Sequence, residues 1–135
     1  MKKKTTYDLR TERMDYIFDT HAHYDDEAFN EDREAILNSL PKNGISPIVN
    51  VSAQLSGVTA TVELTEKYPF IYGSVGVHPD HVGELSEEKI QWMKELTGRE
   101  KIVAVGEIGL DHYWDTESDE VQRKWFIRQL ELAKE

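Results

Sequence analysis

Short apolar segments alternate four times with longer segments of mixed polarity along this 135-residue chain. Tyr16–Thr20, Ile45–Ser52, Phe70–Val77 and Lys101–Glu107 read as strands, the last as the valine-rich run KIVAVGE. Helices are expected after each of them. Asn30 is placed to cap a helix over residues 31–40, closed by Pro41 and the pair Asn43-Gly44, and a second helix spans Leu55–Tyr68 and stops at Pro69. Ser86 opens a third, with Glu87 and Glu88 in the first turn where acids suit the helix dipole, and Gly98 ends it. Ser118 caps a fourth, which carries Val121, Trp125, Phe126, Leu130 and Leu132. Such alternation demands parallel pairing with right-handed crossovers. Near-continuous apolar strands suit a sheet covered on both faces. The fold class is therefore α/β, built of parallel β/α units. Two arrangements satisfy it: an open doubly wound sheet, or the first half of a TIM-type (β/α)8 barrel, whose full form needs about 250 residues.

Composition narrows the chemistry. With no cysteine, disulfides, thiol catalysis and thiolate metal sites are excluded. No apolar run approaches the ~18–20 residues of a membrane span, so no membrane partner is expected. Met1-Lys2-Lys3-Lys4 is basic but no apolar stretch follows it, so a cytoplasmic address is expected. Residues 1–15 lack apolar periodicity and are expected to form a flexible basic extension to a folded unit over 16–135. Lys2, Lys3, Lys4, Arg10 and Arg13 outweigh Asp8 and Glu12 there by three charges, which leaves −13 of the net −10 on the remainder. An acidic body has no broad electrostatic grip on nucleic acid. It can still act on phosphodiesters where bound divalent cations supply local positive charge.

Three motifs fall at the ends of strands. His21-Ala22-His23 closes the first; residues i and i+2 of a strand share a side, so both imidazoles can face one ion. Taken alone, such a pair serves equally as a polar turn. Gly106-Glu107-Ile108-Gly109-Leu110-Asp111 follows the fourth strand. Regular alternation puts Val103, Val105 and Glu107 on one side, and a carboxylate in that row is costly to bury without a cation or hydrogen-bond donors. Val77-His78-Pro79-Asp80-His81 follows the third strand, where His78 either contacts substrate or orders the Pro79 turn. His81 and His112 read as ordinary loop histidines. Asp19 shares the face of His21 if the strand is regular and is then placed to orient a ligand histidine. Convergence of His and Glu at the C-terminal ends of several strands is the pattern of a catalytic face in a β/α barrel.

In order and spacing these motifs resemble one family. The run Ile17-Phe-Asp-Thr-His-Ala-His-Tyr-Asp-Asp is similar to the opening of TatD-family hydrolases, Gly76-Val-His-Pro to their third-strand motif, and Val105-Gly-Glu-Ile-Gly-Leu-Asp to their fourth. The resemblance extends from about Tyr16 to the C-terminus. It implies the first half of a (β/α)8 barrel carrying one or two divalent metal ions (Mg, Mn or Zn) and hydrolysing phosphodiester bonds, with DNA as the substrate of the complete enzyme. It implies His21 and His23 as ligands of one metal, Glu107 as a ligand able to bridge two, and His78 near substrate. The family's later histidines and its late aspartate have no counterpart before Glu135, so a truncated chain, inactive by itself and without an assigned catalytic residue, is expected. Open half-barrel edges would then favour self-association. The alternatives are an amidohydrolase-like enzyme acting on C–N or ester bonds, and a catalytically silent metal-binding or assembly fragment.

Overall fold

The computed structural model describes residues 16–135. The expected basic extension over 1–15 lies outside the described residues. Four strands, β1 (Ile17–Ala22), β2 (Ile45–Val51), β3 (Ile71–Val75) and β4 (Ile102–Val105), form one sheet in sequence order. Every neighbouring pair is parallel. A doubly wound sheet reverses its strand order at a switch point; this one advances steadily to one side, as the strands of a β/α barrel do. The helices are α1 (Arg33–Ser39), α2 (Leu55–Lys67), α3 (Glu87–Thr97) and α4 (Asp119–Lys134).

Two of the helix starts follow from their caps. The Ser86 hydroxyl accepts from the Lys89 N–H and the Ser118 hydroxyl from the Val121 N–H, each satisfying an otherwise unpaired donor of the first turn. The first helix departs from expectation. Asn30 does not cap it; a 3-10 turn over Glu27–Phe29 intervenes, and α1 begins only at Arg33. The cause is Arg33 itself. Its guanidinium donates to the carbonyls of Tyr24 at 2.6 Å and Asp26 at 2.8 Å and to Asn30 Oδ1 at 2.9 Å, folding the segment before the helix around one side chain.

The core lies between the sheet and its helices. Val58, Val75, Val77, Met93, Ile102 and Trp125 pack as one cluster, and Ala22, Leu37, Ile48, Leu64 and Ile71 as a second. Ile17, Phe18 and Val103 on the two outer strands stay about half-exposed. No helix among the described residues is long and apolar enough to cross a membrane.

Two close approaches fix how β3 sits. A Cβ on Gly73 would lie 2.8 Å from both the Ile102 and Thr61 side chains, and one on Gly76 would lie 2.7–2.9 Å from the backbone of Gly106. Only glycine lets the end of β3 run this near to the segment after β4. That strand also breaks the expected alternation. Ile102 pairs with Gly73, Ala104 with Ser74 and Val105 with Val75, with a register shift between the first two pairs. Val105 consequently packs against the buried cluster while Val103 remains exposed, and the row Val103–Val105–Glu107 does not form.

Candidate metal centre

Ala22 pairs with Asn50 and is buried on the helix side of the sheet, so His21 and His23, which flank it, project to the opposite side. Their Nε2 atoms stand 3.1 Å apart. Glu107 joins them from the segment just after β4, its Oε2 3.5 Å from His21 Nε2 and 3.7 Å from His23 Nε2. The three ligand atoms lie within 4.8 Å of one another. A tetrahedral site with bonds of about 2.1 Å has ligand–ligand edges of about 3.4 Å. The observed edges bracket that value, and two imidazoles with a carboxylate are a sound donor set for a divalent ion. The residues present fit such a group.

Backbone carbonyls arrange the ligands. His23 Nδ1 is 2.7 Å from the Val51 carbonyl. A carbonyl only accepts, so the proton sits on Nδ1 and the Nε2 lone pair is left facing Glu107. The Glu107 N–H donates to the Ser52 carbonyl at 2.8 Å and the Gly106 N–H to the Val75 carbonyl at 3.0 Å. The Ser74 hydroxyl donates to the Gly106 carbonyl at 3.1 Å, and the Gly106–Glu107 peptide is cis. These hydrogen bonds to Ser52, just past β2, and to Ser74 and Val75 of β3 bring Glu107 to the centre, where strand alternation does not. Asp19 plays a different part from the one expected. Register shifts interrupt β1 on both sides of its pairing, and its Oδ1 accepts from the His21 backbone N–H at 3.2 Å, not from a ligand imidazole.

His78 enters from the segment after β3. Its N–H donates to the Ala53 carbonyl at 2.8 Å. Just before it, Val77 is clamped by the buried Gln129 of α4, which accepts from the Val77 N–H at 2.8 Å and donates to the Val77 carbonyl at 3.1 Å. The His78 Nδ1 lies 2.5 Å from Asp80 Oδ1. Its Nε2 is 3.8 Å from Glu107 Oε1 and 3.6 Å from Asp111 Oδ2. Asp80 and Asp111 were not singled out by sequence reasoning. Their signal was present, since each lies within a motif already noted for its His or Glu. His81 stands 3.7 Å from Asp80 and lines the same open cavity as His23 and His78, and His112 stands 3.4 Å from Asp119; both lie outside the His21–His23–Glu107 triangle.

An open cavity of about 950 Å³ joins these parts and is lined by His23, His78, Asp80 and Glu107 among others. Behind it the buried Asn50 organises one wall: its amide donates to Asp25 at 2.9 Å and to Thr61 at 2.8 Å, and its oxygen accepts from the Tyr24 N–H at 2.7 Å. Burial, then the charge of Asp19, raises the Tyr24 phenol above its ordinary pKa.

The family model for TatD related DNase matches residues 18–135. An uncharacterized metal-dependent hydrolase of Bacillus subtilis is 39% identical over 119 residues, covering 88% of this chain and 47% of that protein. The 3′-5′ ssDNA/RNA exonuclease TatD of Dickeya dadantii is 27% identical over 120 residues, covering 88% of this chain and 46% of that protein. The crystal structure of a TatD homologue from Escherichia coli superposes with a TM-score of 0.77 at 32% identity, covering 90% of this chain and 47% of that one. The chain thus spans about half the length of the curated relatives it matches.

Proposed function

The chain belongs to the TatD-related DNase family, and from that premise we propose that it supplies metal-binding residues of a divalent-metal-dependent hydrolase cleaving phosphodiester bonds in DNA. The observation that carries this reading is the His21–His23–Glu107 triangle, with edges of 3.1, 3.5 and 3.7 Å. Two imidazoles favour zinc or manganese over magnesium, which prefers oxygen donors. When bound, one or two such ions lower the pKa of an attacking water and offset phosphodiester charge.

The chain's own side chains bind and orient. His23 offers Nε2 because Nδ1–H is committed to the Val51 carbonyl. Glu107 directs Oε2 to the histidine pair and Oε1 towards His78, and would hold the divalent ion together with His21 and His23. His78, held through Nδ1 by Asp80, is left with Nε2 to meet substrate. No residue of this chain is assigned the general-base role.

Metal analysis tests the reading directly. After equilibration with Mn²⁺ or Zn²⁺ and dialysis, His21→Ala and Glu107→Ala are each expected to lose most of the ion that the wild-type chain retains. Nuclease activity is followed in parallel, on this chain and on a full-length relative. Wild-type metal content in both variants would overturn the assignment.

A further inference from the structure

The segment between β4 and α4 carries the two most exposed aromatic side chains among the described residues, Tyr113 at 81% and Trp114 at 61%. An indole left in water forgoes a large burial gain, yet the segment that holds it is tied down. The buried Gln122 accepts from the Asp111 N–H at 2.8 Å and donates to the carbonyls of Asp111 at 2.8 Å and Glu117 at 3.1 Å, pinning both ends. Asp111 Oδ1 accepts from the Tyr113 N–H at 2.9 Å. The Thr116 hydroxyl donates to the Asp80 carbonyl at 3.2 Å, tying the segment to the turn that carries His78. Tyr113 meets Trp114 edge-on, with ring centroids 4.8 Å apart. Trp114 lines the same cavity as His23, His78 and Glu107.

Charge indicates what the pair can hold. Among the described residues lining that cavity, Asp25, Asp26, Glu27, Asp80 and Glu107 are acidic and none is lysine or arginine. A strand entering it finds no cationic rail for its phosphates, the usual source of affinity. The π faces of the bases remain, and these stack on aromatic side chains whatever their sequence. In a duplex those faces are occupied by neighbouring bases, so only an unpaired base can offer one. Resting on the phosphodiesterase reading above, we infer that Tyr113 and Trp114 form a stacking platform for an unpaired base of single-stranded nucleic acid beside the metal centre.

The experiment compares a short labelled oligothymidylate with an abasic strand of equal length, by anisotropy, in Mn²⁺ on ice before cleavage sets in. The abasic strand keeps every phosphate and loses every base. The wild-type chain is expected to bind oligothymidylate about tenfold more tightly than the abasic strand, the value of roughly one stacked base. Trp114→Ala should abolish this preference without changing affinity for the abasic strand, and Trp114→Phe should keep most of it. Because Trp114 is exposed, the variants should melt as the wild type does. A preference that survives Trp114→Ala, or no preference in the wild type, overturns the platform. Cleavage is scored separately: a Trp114-dependent preference with no metal-dependent cleavage, by this chain or by a full-length relative, leaves the platform standing and removes the phosphodiesterase reading.

Discussion

Gly76→Ala should damage stability and metal binding together, because one methyl group would sit where two strands touch. Its Cβ would lie 2.7, 2.9 and 2.8 Å from the C, Cα and O atoms of Gly106. Contacts between such atoms are comfortable only near 3.5 Å, so the ends of β3 and β4 would have to part by about 0.8 Å. All three clashing atoms are backbone, so no side chain can swing aside. The parting stretches the Gly106 N–H to Val75 carbonyl bond, now 3.0 Å, and the Ser74 hydroxyl to Gly106 carbonyl bond, now 3.1 Å. Two hydrogen bonds each weakened by about 0.5 kcal/mol, with overpacking strain of about 1–3 kcal/mol, give a loss of roughly 2–4 kcal/mol. For a domain of this size that lowers the melting temperature by about 10 °C. Glu107 moves with Gly106, and its 3.5 and 3.7 Å edges to the histidines open beyond what one ion can bridge. Mn²⁺ affinity should fall about 10–100-fold, as when a ligand loses its support. Thermal melting by circular dichroism with and without Mn²⁺, and calorimetric titration of the ion, read the two effects. Gly98→Ala is the control: its φ of −72° and a nearest contact of 3.3 Å make alanine tolerable there. A Gly76→Ala chain that melts within about one degree of wild type and binds Mn²⁺ equally would refute the reasoning.

Gln129→Leu strands a buried N–H and a buried carbonyl on Val77, and should cost about 2–5 kcal/mol in urea unfolding; a loss below about 0.5 kcal/mol would show that the clamp is dispensable. The Arg128 guanidinium, hydrogen-bonded to Glu87 at 2.9 and 2.8 Å, holds that carboxyl below the ordinary glutamate range. Its contribution is therefore present above the unfolded-state value and lost as pH falls through the depressed one, so Glu87→Gln should flatten the acid limb of the melting profile. An unchanged acid limb would mean that the pair, which is exposed, adds nothing. We also propose that the chain self-associates through the half-exposed Ile17 and Phe18 of β1, Val103 of β4, and Ile127 and Leu130 of α4. Multi-angle light scattering giving a stable monomer at micromolar concentration would count against that.

The fold was largely legible because it rests on periodicity and punctuation, and both are written in residue types. Pro69, Ser86, Gly98 and Ser118 sit where a helix must stop or start, and four apolar runs separated by helices permit few topologies. What failed was local. Asn30 looks like a helix cap, but residue type does not reveal that an arginine three positions later will claim its side-chain oxygen. Strand alternation, applied to the KIVAVGE run, assumes that every residue advances the pairing by one step. The register shift after Ile102 breaks that assumption, and nothing in Val103 announces it.

The candidate metal centre shows the same division in sharper form. The grouping of His21, His23 and Glu107 could be anticipated because metal ligation would demand particular side chains, and few residue types can supply them. The carbonyls of Val51, Ser52 and Val75 that aim them could not; only Gly76 and Gly106 carry a signal, since glycine at a strand end marks a close backbone approach. Every sequence provides carbonyls at every position, and only the fold decides which ones serve. Asp80 and Asp111 fall between these cases: acids beside a histidine motif are common, and a distance was needed to connect them to His78. It follows that changes away from the three side chains that meet at this centre should disturb it as strongly as changes to those side chains. Gly76→Ala is the sharpest instance, since it alters no ligand, no charge and no hydrogen-bonding side chain, yet displaces the carboxylate on which the centre depends.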